Sequence, residues 1–201
     1  MTATANDNGG GTAAVAVLAA GGSRRMGRPK QLVQFRGKPL LRTVMEAACA
    51  TPACRVAVVL GAHAEDITPC LAGLDTDVLL NRHWSDGMST SIHLAVCWAM
   101  TQAASALLIA SCDQPLLDTH QLRRLLSAQS SSGRAAASVY AGVRGIPAIF
   151  PRHLFPDLLN LRGDHGAGGL LRAAPDTIEI SWPDGAFDLD EPGDLARLPA
   201  S

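Results

Sequence analysis

A chain of 201 residues, 47% of them hydrophobic and 17% charged, is long enough for one sizeable core, and a formal net charge of -1 excludes nucleic-acid binding over a broad basic face. Aromatic residues make up 4% of the chain and are not interleaved with basic ones, so single-stranded bases have no stacking platform. No apolar run approaches the ~20 residues of a membrane span; the five cysteines (Cys49, Cys54, Cys70, Cys97, Cys112) include no C-x-x-C pair, which argues against a zinc site or disulfide framework and for a reducing cytoplasm.

Residues 1–11 are small and polar, end in three glycines and lack the charged start and apolar middle of a secretory signal. A disordered tail is expected there, ahead of a single domain over 12–201. The first strand, 14–18, runs into a turn of tiny residues. Ala19, Ala20, Gly21 and Gly22 let backbone N–H groups approach an anion, and Arg24, Arg25, Arg28 and Lys30 supply compensating charge. Between Asn8 and Met45 stand seven basic residues and no acidic one. A nearly neutral chain has gathered its positive potential in one place, as capture of a small polyanion requires. The segment 22–27 has the G-x-x-x-x-G frame of a P-loop, but Arg28 and Pro29 replace the Lys and Ser/Thr, and G-x-G-x-x-G is absent. What remains is a loop in which Arg25 and Lys30 can converge on phosphates, Pro29 stiffening the approach. The competing reading is an ordinary strand-to-helix loop with solvated cations.

Further strands are predicted at 56–60, 78–80, 106–110, 135–140 and 147–150, and helices at 39–50, 63–71, 88–100, 119–129 and 191–198, with a polar loop over 127–133. In the first helix Leu40, Leu41, Val44, Met45 and Ala48 fall on one face. Asp118 is a plausible N-cap for the fourth. Alternation of this kind predicts an α/β fold: a single doubly wound, mostly parallel sheet with helices on both faces and ligands at the carboxyl ends of its strands. Asp113 follows the strand 106–110 and precedes Pro115, so its carboxylate can reach a phosphate-bound metal ion there; a turn or cap role is the alternative. At 86–91, Gly87 with Ser89, Thr90 and Ser91 opens a helix and can bind an anion, unless Ser85 or Asp86 simply caps it. Arg144 and Gly145, and the glycine-rich stretch 163–169 with Asp164 and His165, read as flexible pocket walls. The latter is too rich in glycine for an ordinary helix start. Asp184, Asp188, Asp190, Glu191 and Asp194 form a late acidic cluster that also suits a helix start. No other histidine is ligand-spaced with His165, and Cys112 reads as a small core residue.

The run Leu18-Ala-Ala-Gly-Gly-Ser-Arg-Arg-Met-Gly-Arg-Pro-Lys-Gln-Leu32, followed by Gly37-Lys-Pro-Leu40, resembles the signature of the molybdopterin nucleotidyltransferases. Ordered matches continue at Trp84-Ser-Asp-Gly-Met-Ser-Thr-Ser-Ile92, Cys112-Asp-Gln-Pro115, Gly142-Val-Arg-Gly-Ile-Pro-Ala-Ile-Phe150, Gly163-Asp-His-Gly-Ala167 and Phe187-Asp-Leu-Asp-Glu-Pro-Gly-Asp-Leu195. The resemblance, closest to the cytidylyltransferase branch, implies a Rossmann-like sheet of the nucleotide-diphospho-sugar-transferase type and a Mg²⁺-dependent enzyme. That enzyme transfers CMP from CTP to molybdopterin, giving molybdopterin cytosine dinucleotide and pyrophosphate. It implies nucleotide binding by Leu18, Ala19, Ala20, Gly21, Gly22, Arg25 and Lys30, with Arg25, Lys30 and Asp113 catalytic. It also implies metal binding by Asp113 and Asp190, with Asp188 as the second choice. The pterin falls to Gly87, Ser89, Ser91, Arg144, Gly145, Asp164 and His165, and a molybdenum hydroxylase client is a transient partner. Alanine at position 20, where the guanylyl branch has glycine, favours cytosine. GTP as donor, methylerythritol phosphate as acceptor and a non-catalytic cofactor carrier are the alternatives.

Overall fold

The computed structural model describes residues 12–53, 55–191 and 193–194, so the expected tail at 1–11 and most of the expected helix at 191–198 lie outside the described residues. The first strand is Ala13–Ala19 (β1), buried from Ala14 onward because it lies inside the sheet. After the glycine turn come a short antiparallel ribbon, Gln34–Phe35 (β2) and Lys38–Pro39 (β3), and the helix Leu40–Cys49 (α1), which buries the expected face. Next are Arg55–Leu60 (β4), Ala64–Ile67 (α2), Asp77–Leu80 (β5), Met88–Thr101 (α3) and Ala106–Ser111 (β6). The chain continues through Thr119–Ser132 (α4), Ala136–Tyr140 (β7), Val143–Pro151 (β8), Phe155–Leu159 (α5), Gly168–Ala173 (α6) and Ile178–Ser181 (β9).

The main sheet has seven strands in the order β5-β4-β1-β6-β8-β7-β9. Its first four are parallel; β8 runs antiparallel to both β6 and β7, and β9 is parallel to β7. The period of two along β1 divides the core. Val15, Val17 and Ala19 pack with α1 and α4, while Ala14, Ala16 and Leu18 pack with α3, α5 and α6. The expected doubly wound, mostly parallel sheet with helices on both faces is the observed one.

Several local expectations are corrected. The predicted helix 63–71 is one α-turn followed by a 3₁₀ segment, Thr68–Leu71, because Pro69 has no N–H to continue the ladder. The predicted polar loop 127–133 is helical to Ser132, where Ser131 and Ser132 bond back to the carbonyls of Ser127 and Ala128; Gly133, at φ 71°, ends the helix. Asp118 is the N-cap of α4, its Oδ1 accepting from the Gln121 amide at 2.8 Å. Cys49, Cys70, Cys97 and Cys112 are free thiols; Cys112 is buried, as expected of a small core residue, and Cys97 is exposed. Among the described residues no helix is long and apolar enough to cross a membrane.

The parallel order brings the carboxyl ends of β1, β4 and β6 to one edge. Two backbone bonds tie them there: Ala62 N–H to Ala20 O at 3.0 Å, and Cys112 N–H to Leu18 O at 3.1 Å.

Candidate active site

At that edge lies a cavity of about 360 Å³, walled by residues 18–22, Arg24, Lys30, Trp84, Asp113 and Asp164. Its position follows from topology, since the crevice at the carboxyl ends of parallel strands is where backbone N–H groups and loop side chains are free to face a ligand. Lys30 begins a 3₁₀ turn, Lys30–Leu32, just after Pro29. Its Nζ donates to Asp113 Oδ2 at 2.9 Å and to Asp190 Oδ1 at 3.2 Å, and its side chain is only 15% exposed. Arg25 joins them from the surface, with Nη2 3.6 Å from Asp190 Oδ2. Burial on its own would push the Lys30 ammonium towards neutrality; Asp113 first and then Asp190 overcome it, and the pKa is raised.

Asp113 stands just past the end of β6, and its carbonyl accepts from the Leu189 amide at 2.8 Å, which draws the late acidic segment alongside. Asp194 Oδ2 accepts the amides of Asp190 and Glu191 at 3.0 and 2.9 Å and fixes that turn. Asp188 lies in the same group. Its outer surface is exposed, yet crowding by protein and the neighbouring charges of Asp113 and Asp190 push its pKa up to about 6. Among the described residues no three His, Cys, Asp or Glu side chains converge as a ready-made metal cage. The pair of hard-oxygen donors at 113 and 190 is what the site offers.

The sequence-predicted residues divide into three groups. Leu18, Ala19, Ala20, Gly21, Gly22, Lys30, Asp113, Ser91 and Asp164 line the cavity, and Arg25 and Asp190 join it through the Lys30 cluster. Gly87, Ser89 and His165 sit beside it. Gly87, at φ +115°, has a Cβ position filled by the backbone of Gly163, and the Ser89 amide donates to Gly163 O at 3.0 Å, so these residues brace the 163–166 loop. His165 lines an adjoining groove with Arg162 and Arg172; Met88 and Asp164 are common to groove and cavity. Arg144 and Gly145 are in neither. Arg144 pairs with Glu179 on β9 at 2.8 Å and donates to the carbonyls of Leu171 and Ala174, while Gly145 packs beneath the Tyr140 ring.

Three residues without an assigned role in the sequence prove structural to the site. Gln31 is fully buried, with Nε2 donating to Ala19 O at 2.8 Å and Gly21 O at 3.0 Å. Asn81 Nδ2 donates to the hydroxyls of Thr90 and Ser91, both at 2.9 Å, and so ties the start of α3 to the end of β5. Trp84 fills the space under the glycine turn: a Cβ on Gly22 would lie 3.1 Å from its ring, and one on Gly61 would lie 2.6 Å from its Cβ and 2.8 Å from Ala20 O. Gly61→Ala is therefore expected to cost about 1–3 kcal/mol and to displace the turn. Thermal unfolding and a nucleotide titration check this, and wild-type values in both would mean that Trp84 and the turn yield freely.

The family model of the MobA-like NTP transferase domain matches residues 15–178. The chain is 31% identical over 195 residues to nicotine blue oxidoreductase of Paenarthrobacter nicotinovorans, covering 90% of this chain and 94% of that protein. It is 32% identical over 191 residues to the molybdenum cofactor guanylyltransferase of Rhodobacter capsulatus, covering 90% and 92%. Among solved structures it resembles Rv0371c of Mycobacterium tuberculosis H37Rv, with a TM-score of 0.79 and 26% identity over 94% of this chain and 97% of that one. The manganese complex of Rv0371c gives 0.75 and 25% over 92% and 97%. With more than three quarters of its length matched by the family model and two relatives above 30% identity along nearly their whole length, the chain belongs to the MobA-like NTP transferase domain family.

Proposed function

We propose that this protein transfers CMP from CTP to molybdopterin and releases pyrophosphate, with Mg²⁺ as cofactor. The observation that carries the reading is the convergence of Lys30, Asp113 and Asp190 beside a small-residue turn, from segments 83 and 160 residues apart. Mg²⁺ is commonly held by one or two carboxylates together with substrate phosphates, and Asp113 and Asp190, already within hydrogen-bond reach of one cation, fit that requirement. The manganese complex of the mycobacterial relative supports a divalent ion. When bound, the ion neutralises charge at the α-phosphate.

The chain's own groups supply the rest. Amides of the turn at 19–22 cradle the phosphates, while Lys30 and Arg25 offset the negative charge that gathers on departing pyrophosphate. The groove with Arg162, His165 and Arg172 continues the cavity and suits an anionic acceptor, held in line with the α-phosphate. Ala20, on the cavity wall, is the reason for preferring cytosine although one relative is named a guanylyltransferase.

Pyrophosphate release from CTP and from GTP, each with molybdopterin and Mg²⁺, tests the proposal. CTP is expected to be used at least about tenfold faster, a difference of ~1.4 kcal/mol. A preference for GTP would overturn the base assignment. The similarity to nicotine blue oxidoreductase favours one second reading, a reductase built on the same domain. Reduction of nicotine blue by a supplied reductant, with no pyrophosphate released from either nucleotide, would favour it over the transferase.

A further inference from the structure

We infer that Gln31 is a positioning residue for the triphosphate, holding the glycine turn with its carbonyl groups engaged and its amides left for the ligand. The nature of the ligand rests on the nucleotidyl-transfer reading; the effect on the turn does not. Three consecutive carbonyls are at stake. Ala19 O and Gly21 O both accept from Gln31 Nε2, at 2.8 and 3.0 Å, and Ala20 O between them accepts from the Ala62 amide at 3.0 Å. An anion is repelled by a carbonyl oxygen and attracted by an N–H, so a turn that is to hold phosphate must keep its carbonyls occupied elsewhere.

The arrangement also links the turn to the cation. Ser23 Oγ accepts from the Lys30 amide at 3.0 Å and reaches Gln31 Oε1 at 3.4 Å, closing 23–31 into a ring. Lys30 and Gln31 are successive residues of one 3₁₀ turn: the first sends its ammonium to Asp113 and Asp190, the second sends its amide under residues 19–21. The position of Lys30 is thereby set relative to the phosphate cradle. A glutamine is needed because its terminal –NH₂ carries two donors on a side chain long enough to reach both carbonyls.

Gln31→Met keeps length and volume but removes both donors, and Gln31→Glu keeps the shape while presenting only acceptors to two carbonyls. Gln121→Met is the control: Gln121 is equally buried, donates to Ser138 Oγ at 2.9 Å, and lies away from the cavity. In both Gln31 variants amide exchange at residues 20–25 is expected to quicken about tenfold, and KM for the nucleoside triphosphate to rise about tenfold, with a smaller fall in kcat. Gln121→Met is expected to lower the melting temperature comparably without moving either quantity. Equal effects from Gln31→Met and Gln121→Met, or unchanged exchange at 20–25, would overturn the inference, as would a loosened turn that binds nucleotide normally. If the wild-type protein binds no nucleoside triphosphate, the transferase reading fails, and the exchange contrast alone still decides whether Gln31 holds the turn.

Discussion

Asp113→Asn is expected to lower the rate of pyrophosphate release about a thousandfold while leaving the melting temperature within a few degrees of wild type. The two effects separate because the Asp113 side chain and backbone do different work. Its carbonyl bond to the Leu189 amide, which seats the acidic segment, is untouched by the substitution. Its carboxylate meets the protein through Lys30 Nζ, and asparagine keeps an acceptor oxygen at that position. Lys30 also retains Asp190 at 3.2 Å, so the buried ammonium is never left without a negative partner. The stability loss is then about 1 kcal/mol, or ~2–4 °C for a domain of this size. In the proposed reaction Asp113 would help to hold a divalent ion, and asparagine cannot supply the negative charge that this would need. Pyrophosphate release and thermal melting on the same preparation check both halves. Full turnover would remove Asp113 from the machinery, and outright unfolding would make it a structural residue.

The parts of the fold that can be read from the sequence are those whose local pattern and tertiary role agree. β1 is an uninterrupted apolar run because both its faces are covered, and α1 shows one clean face because only that face meets the sheet. β9 alternates as a strand should, but over only four residues with two isoleucines on one face, too short a stretch to read alone; it holds because β7 stands beside it. The role of Arg144 is hidden for the same reason. It reads as a pocket cation when only its neighbour Gly145 is considered, but Glu179, its partner, belongs to that strand. α5 and α6 are too short to show a helical period, and α6 opens on two glycines whose cost is met by packing Leu171 into the core. In the site, the loop cations and Asp113 are legible because strand ends collect ligands in this topology. The roles of Gln31 and Asn81 are not, since a buried amide that satisfies distant carbonyls or hydroxyls looks in sequence like any polar loop residue.

Lys30→Met should be more damaging than Asp113→Asn, because it removes the cation that two carboxylates share. The ammonium is 15% exposed and the carboxylates of Asp113 and Asp190 are 25% and 43% exposed. Without it these two charges face each other, with Asp188 close by, in a region partly screened from water. Breaking a fully buried pair costs ~3–5 kcal/mol; allowing for the exposure of Asp190, about 2 kcal/mol is expected here, or ~4–8 °C in melting temperature. Turnover should fall at least about a thousandfold, since in the proposed reaction the same ammonium would offset charge on the departing pyrophosphate. Lys30→Arg keeps the charge but places a broad planar fork in a space shaped for a compact ammonium, so stability should return in part and turnover should not. The double variant Lys30→Met with Asp113→Asn separates electrostatics from packing. Removing one carboxylate relieves the repulsion that the lost lysine exposes, so the double variant should be more stable than Lys30→Met alone, although just as inactive. If the two stability losses simply add, Lys30 is not acting as the shared counter-ion, and its part in the site must be sought in its methylene chain and packing instead.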